Sequence, residues 1–456
     1  MSKKYDFDYI VIGSGPAGST AATTLAKAKK RVALVESRFF GGTNLNNIDV
    51  PYLVALDYAR TYHRVSTLPE FHSHDLSLNM PSALNRMLRT ITNLGKKEHE
   101  QYEKNKVVCI PGFANFIDPH TIAVKTQKFT AAHFIVASGS HLKTTEISGT
   151  ETVTYLTPES AIKARRIPEV IAVVGAGPSG CEIASYYAEL GTKVILLEMA
   201  PRILPKEDPE VGTTIANYFS NQLQMTVLPS CKAVAIGEDR ESKYVIFQCQ
   251  TTEKMVRVEH IILATGSTPN VNFGLENAGI KYKNKGITVN KYFETSAKHI
   301  YAIGDCINNE QSSTERAYQQ GITLATNIAK RAKTIPNYTG IPRIINLPLE
   351  VATVGYNEDD LMRRDRKYKK AIISFDSIAA GTIYDASNCF IKLLTDRNNY
   401  IIGATIVSPD AHLLIQELSF TLRHHHSALE LASTPHPTNS FSYAIKLAAR
   451  QIVKGK

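Results

Sequence analysis

Two stretches of this 456-residue chain carry glycines at the spacing that receives a dinucleotide. The first reads "DYIVIGSGPAGSTAATTLAKAKKRVALVES", with Gly13, Gly15 and Gly18 after an apolar run and Glu36 near its end. The second reads "VIAVVGAGPSGCEIASYYAELGTKVILLEM", with Gly175, Gly177, Gly180 and Glu198. Each element of the second lies 162 residues after its counterpart (175 − 13), and each acid follows its last glycine by 18. The first two glycines permit a tight turn and let backbone approach a pyrophosphate; the third lets helix and strand close together. Pro16 and Ala17, like Pro178 and Ser179, open a helix whose free N–H groups and partial positive charge face the phosphates. The acid accepts hydrogen bonds from a ribose diol.

Such chemistry needs strand, turn, helix and strand in order, twice. Each copy is followed by an apolar strand and a small-residue turn: "FIVASGS" (Phe134–Ser140), with Ser138 and Gly139, and "IILATGSTPN" (Ile261–Asn270), with Gly266. "TSAKHIYAIGDC" then brings Gly304 and Asp305 to a strand end. From Ile341, strands alternate with turns and give way to helical patterns in "AHLLIQELSFTLRHHH" and "SFSYAIKLAARQIV". The expected fold is α/β: two Rossmann-like dinucleotide-binding domains plus a C-terminal α+β domain. The expected boundaries are 1–145 with 271–338, then 146–270, then 339–456.

In this order and spacing, the fingerprints, "GGT", both "A(S/T)GS" turns, "IYAIGD", "LPLEVATVG" and "HPT" resemble the pyridine nucleotide-disulfide oxidoreductases. That family includes dihydrolipoamide dehydrogenase, glutathione reductase and mercuric reductase, and the resemblance covers nearly the whole chain. It implies that Gly13, Gly15, Gly18 and Glu36 hold the ADP half of FAD, with Gly42 and Thr43 near the pyrophosphate and Asp305 on the ribitol chain. It implies a helix around "ERAYQQG" (Glu315–Gly321) aimed at the flavin pyrimidine ring. The second fingerprint would hold the nicotinamide nucleotide. Glu198 favours NAD(H) over NADP(H), since an acid repels a 2′-phosphate, although Arg202 stands nearby. Glu182 matches a family glutamate near the nicotinamide. The resemblance also implies a homodimer through the C-terminal domain, with His436 entering the partner's site.

The family's redox motif, "GGTCxNxGCxPxK", reads "GGTNLNNIDVPYL" here. Asn44 and Asp49 replace the two cysteines, and Tyr52 and Leu53 stand where the lysine is expected. The glutamate that orients the family histidine is replaced by Phe441, so His436 is expected to lack its carboxylate. A disulfide relay needs one thiolate against the flavin and a second to attack substrate. Asn44 and Asp49 supply neither, whereas hydride transfer between nicotinamide and flavin needs only proximity. The expected activity is therefore an FAD-dependent NAD(P)H oxidoreductase that passes electrons directly to a small-molecule or redox-carrier acceptor. A soluble transhydrogenase and a flavin-binding protein without turnover are the alternatives. Asp49 is expected either to meet His436 and move a proton or to cap the following helix.

The rest is read plainly. The six cysteines show no CxxC or CxxxxC spacing, so they read as buried thiols, although distant ones could still meet in space. Cys181 opens a helix beside the nucleotide site, where a thiol's pKa can fall, but a packing role is preferred. Adjacent His424, His425 and His426 point in different directions on a helix, so no metal site is expected. The net charge of +10 is spread along the chain without a nucleic-acid-binding module, so no nucleic acid is expected. No apolar run approaches a membrane span, and no signal-peptide layout opens the chain; a cytoplasmic protein is expected.

Overall fold

A computed structural model describes residues 5–70, 76–143, 147–308 and 313–455. The chain forms two compact units. The first comprises Met1–Val54, Pro81–Lys143 and Gly266–Tyr338; the second comprises Ala55–Met80, Thr144–Thr265 and Thr339–Lys456.

In the first unit a sheet runs in the order Val108–Pro111, Val32–Glu36, Phe7–Ile12, Gln127–Val136, Thr121–Val124 and Ala114–Asp118. Ile300–Ala302 also pairs with Gln127–Val136. The strands around Phe7–Ile12 are parallel, and nearly all their Val, Ile, Leu and Ala residues are buried. A parallel sheet is covered on both faces, which is why these strands read as apolar runs without alternation. Helix Pro16–Lys27 follows the central strand, and helix Thr314–Lys330 follows the "IGD" turn.

The second unit repeats the motif. Thr226–Leu228, Lys193–Leu197, Val170–Val174 and His260–Leu263 form a parallel sheet, with helix Pro178–Glu189 after the central strand. An antiparallel sheet, Cys231–Glu238, Lys243–Cys249 and Thr252–Val258, shares its hydrophobic core. The C-terminal part is a five-stranded antiparallel sheet: Arg343–Ile345, Glu350–Gly355, Ile401–Ser408, Phe390–Thr395 and Lys369–Ser374. Helices Ala411–Arg423 and Tyr443–Lys454 accompany it. The fold is thus the expected one: two dinucleotide-type α/β motifs and a C-terminal α+β region. Lys392, 0% exposed, joins parts of this unit by pairing with Asp208 at 2.7 Å, Glu358 at 2.8 Å and Glu210 at 3.0 Å. A buried charge is tolerated only when it is paired in this way.

The cysteine reading needs correction for one pair. Cys231 and Cys249 stand opposite each other in the antiparallel register, with Cα atoms 4.3 Å apart, and form a disulfide. Strand register created this pair, and no short spacing announced it. Cys109, Cys181, Cys306 and Cys389 are free. Among the described residues, no helix is long and apolar enough to cross a membrane.

Candidate active site

The first cradle is built by close approach. Gly13 has φ +101°, and a Cβ there would sit 2.1 Å from the Ala137 carbonyl oxygen. A Cβ on Gly18 would lie 1.9 Å from the Gly13 oxygen. These two glycines therefore let helix and strands close. Gly15 differs, because a Cβ there would meet nothing within 4 Å. It caps helix Pro16–Lys27 without a side-chain hydrogen bond. Glu36 accepts from the Ser14 backbone N–H at 3.0 Å and hydroxyl at 2.7 Å, and from the Arg38 N–H at 2.9 Å. Gly42 and Thr43 lie in the short helix Gly42–Asn46, tied to this turn by the Gly41 N–H donating to Ser14 Oγ. The Ser138 hydroxyl donates to the Asn270 carbonyl, and Gly139 accepts from the Asn270 N–H. Gly304 donates to Gln320 Oε1 and opens the 3-10 turn that carries Asp305.

The second cradle repeats these contacts. Gly175 has φ +99°, and a Cβ on Gly180 would lie 1.9 Å from the Gly175 oxygen. A Cβ on Gly177 would again meet nothing within 4 Å, and this residue caps helix Pro178–Glu189 without a side-chain bond. Glu198 accepts from Ala176 N–H at 2.7 Å and Ala200 N–H at 2.8 Å, the positions matching Ser14 and Arg38. Arg202 Nη2 donates to the carbonyls of Pro205 and Glu207, both at 3.2 Å, and meets Asp359 at 3.5 Å. Gly266, at φ +99°, falls in the first unit, where its carbonyl accepts from Lys143 N–H. Cys181 is fully buried, and burial pushes its thiol well up, so no reactive thiolate sits at this helix start.

In the first unit, Asn44 and Asp49 meet. Asn44 Nδ2 donates to Asp49 Oδ2 and, at 3.0 Å, to Thr314 Oγ1. The Thr314 hydroxyl donates to the same Asp49 oxygen at 2.9 Å. Thr314 is the first residue of helix Thr314–Lys330, so the helix expected around Glu315–Gly321 starts beside the carboxylate. Burial raises the Asp49 carboxyl above its ordinary value; the Thr314 bond opposes this and Glu315 adds to it.

In the second unit, Glu182 accepts from Asn346 N–H at 2.8 Å, and Asn346 Nδ2 lies at 3.3 Å. An amide thus meets the glutamate. His436 corrects the expectation of a missing carboxylate: Glu417, from helix Ala411–Arg423, lies 3.1 Å from its Nε2. Its Nδ1 lies 3.0 Å from the Thr434 carbonyl. Phe441, in the position expected to lack a carboxylate, stacks on Phe375 instead.

The family model described as "Pyridine nucleotide-disulphide oxidoreductase" matches residues 7–321, and its dimerisation-domain model matches residues 341–449. The chain belongs to the pyridine nucleotide-disulphide oxidoreductases. A mercuric reductase of Staphylococcus aureus is 27% identical over 97% of this chain and 82% of its own. A dihydrolipoyl dehydrogenase of Mycobacterium tuberculosis is 29% identical over 96% of this chain and 97% of its own. The solved HOCl-induced flavoprotein disulfide reductase RclA from Escherichia coli superposes with a TM-score of 0.87 at 21% identity, covering 98% of this chain and all of that one. LpdA from M. tuberculosis superposes at 0.87 with 23% identity, over 97% and 99% of the two chains.

FAD and a pyridine nucleotide are the expected ligands of a pyridine nucleotide-disulphide oxidoreductase. Both cradles fit that chemistry, with open space over Gly15 and Gly177 and uncapped helix N-termini. Thr314, Asn346 and Glu417 were missed from the sequence. Their partners lie 265, 164 and 19 residues away, and no local pattern marks them.

Proposed function

We propose that this protein is a homodimeric, cytoplasmic, FAD-dependent NADH oxidoreductase that passes electrons directly to a non-disulfide acceptor. The observation that carries the reading is the Asn44–Asp49–Thr314 cluster at the positions of the family's cysteine pair. In this reading the first unit holds FAD through Gly13, Gly15, Gly18, Glu36, Thr43 and Asp305, and the second fingerprint holds the nicotinamide nucleotide. FAD supplies the two-electron chemistry between nicotinamide and acceptor. Glu198 keeps acceptor capacity for a ribose diol, and Arg202 Nη2 is committed to carbonyls, which supports NADH over NADPH. Asp49 Oδ2 is held by two donors, while Oδ1 has no hydrogen-bond partner among the described residues. A carboxyl that keeps its proton to higher pH can deliver it from Oδ1 to an acceptor that needs one, such as a quinone. The family arrangement would bring the partner subunit's His436, held by its own Glu417, toward that proton.

Anaerobic titration of the holoprotein with NADH tests the proposal, and loss of the visible flavin band is expected. If FAD is bound but neither NADH nor NADPH bleaches it, the oxidoreductase reading fails and a flavin-binding protein without turnover replaces it. Reoxidation by a quinone or dye is expected. Efficient transfer to thio-NAD would instead mark a transhydrogenase, and turnover of lipoamide or oxidised glutathione would overturn the non-disulfide acceptor.

A further inference from the structure

The Cys231–Cys249 bridge lies beside the acid of the second fingerprint. Cys231 N–H donates to the Glu198 carbonyl at 2.9 Å, and Ser230 N–H donates to the Ala200 carbonyl at 2.8 Å. Glu198 N–H donates in return to the Leu228 carbonyl at 3.0 Å. Three backbone bonds therefore tie Leu228–Cys231 to the loop whose Glu198 carboxylate is set by Ala176 and Ala200. Ser230 has φ +55°, a left-handed conformation that costs a non-glycine residue and persists only where its surroundings hold it. The bridge anchors the adjacent Cys231 to the end of strand Lys243–Cys249 and is part of what holds it.

We propose that Cys231–Cys249 is a reversible thiol–disulfide site whose oxidation state sets the affinity of the second fingerprint for its nucleotide. The proposal rests on reading that fingerprint as the nicotinamide nucleotide site. Cys231 is buried, whereas Cys249 is half-buried between exposed Gln248 and Gln250, so Cys249 is the more accessible half of the bridge and the one a reductant meets first. A dithiol reductant attacks there as thiolate, forming a mixed disulfide and releasing the Cys231 thiolate, which takes a proton. The reductant's second thiol then displaces Cys249. Two electrons and two protons enter the pair, and the reductant leaves as a disulfide. In reducing compartments, disulfides that do form are usually transient and sensing. Opening the bridge removes one restraint on Leu228–Cys231, leaving the strand pairing and the three backbone bonds, and so loosens the Glu198 loop.

The test compares untreated holoprotein with holoprotein reduced by a phosphine. Mass spectrometry after thiol alkylation in denaturant follows the pair, and calorimetry measures ADP-ribose and NAD+ binding. Untreated protein is expected to show four alkylated cysteines out of the six, and the reduced protein all six. Reduced protein is expected to bind at least about fivefold more weakly, the lower end of typical coupling between sites, and to recover on reoxidation. The C231S/C249S double variant should bind weakly and ignore the reductant. Six alkylated cysteines in untreated protein, or equal affinity in both states, would overturn the proposal. Binding in neither state would overturn the nucleotide-site reading, and the switch with it.

Discussion

Glu189 is the last residue of helix Pro178–Glu189 and is 3% exposed. Its Oε2 has no hydrogen-bond partner among the described residues, and the residue sits at the negative end of the helix dipole. Burial pushes its carboxyl up to about 8, while the Arg60 guanidinium pulls the other way. In the unfolded chain the group titrates near its ordinary 4.5. Because the folded value is the higher one, the stability from the protonated form is complete below 4.5 and is lost as pH rises through 8. The difference of about 3.5 (8 − 4.5), at about 1.4 kcal/mol for each pH unit, sets a ceiling of about 5 kcal/mol. Relaxation around the newly formed charge lowers that swing to about 2–3 kcal/mol. Glu189→Gln keeps the shape and removes the titration. The variant should gain about 2–3 kcal/mol over the parent between about pH 4.5 and pH 8.5. Urea unfolding at both pH values, followed by circular dichroism because the chain has no tryptophan, measures this. Parallel pH dependences in parent and variant would refute the reasoning.

Gly180→Ala puts a Cβ 1.9 Å from backbone and should destabilise the protein by about 1–3 kcal/mol or more in thermal melts. Gly177→Ala meets no protein atom and should leave the melt unchanged while calorimetry shows weakened nucleotide binding. On the proposed reading, in which Asp49 faces the flavin, Asp49→Asn removes a charge that would oppose flavin reduction, so spectroelectrochemistry above the carboxyl's raised pKa should find a higher flavin potential. An unchanged potential would remove the electrostatic role of Asp49. Lys392→Met takes the cation away from the fully buried Asp208, while Glu358 keeps Lys370 and Tyr368, and should cost about 3–5 kcal/mol by urea unfolding at neutral pH.

Both nucleotide fingerprints were legible because their physics is local. The turn, the helix start, the close approach and the acid all fall within about 30 residues of chain, and a βαβ unit confines them there. That Asn44 and Asp49 stand where the resemblance expects cysteines was equally plain, since it is a matter of residue identity at marked positions. What these residues touch was not legible. Thr314 reaches Asp49 because the helix after the "IGD" turn starts there, and Asn346 reaches Glu182 from the edge of another sheet. Phe441 in the expected position gave reason to expect no carboxylate for His436, yet Glu417 supplies one from a different helix. Cys231 and Cys249 became partners through antiparallel register, which no count of residues between them reveals. The sequence by itself therefore determined the fold class and the two cradles, whose geometry is set by neighbours along the chain. Tertiary structure alone decided the partners of Asp49, Glu182, His436 and Cys231, because packing and strand register select contacts between segments that local pattern leaves independent.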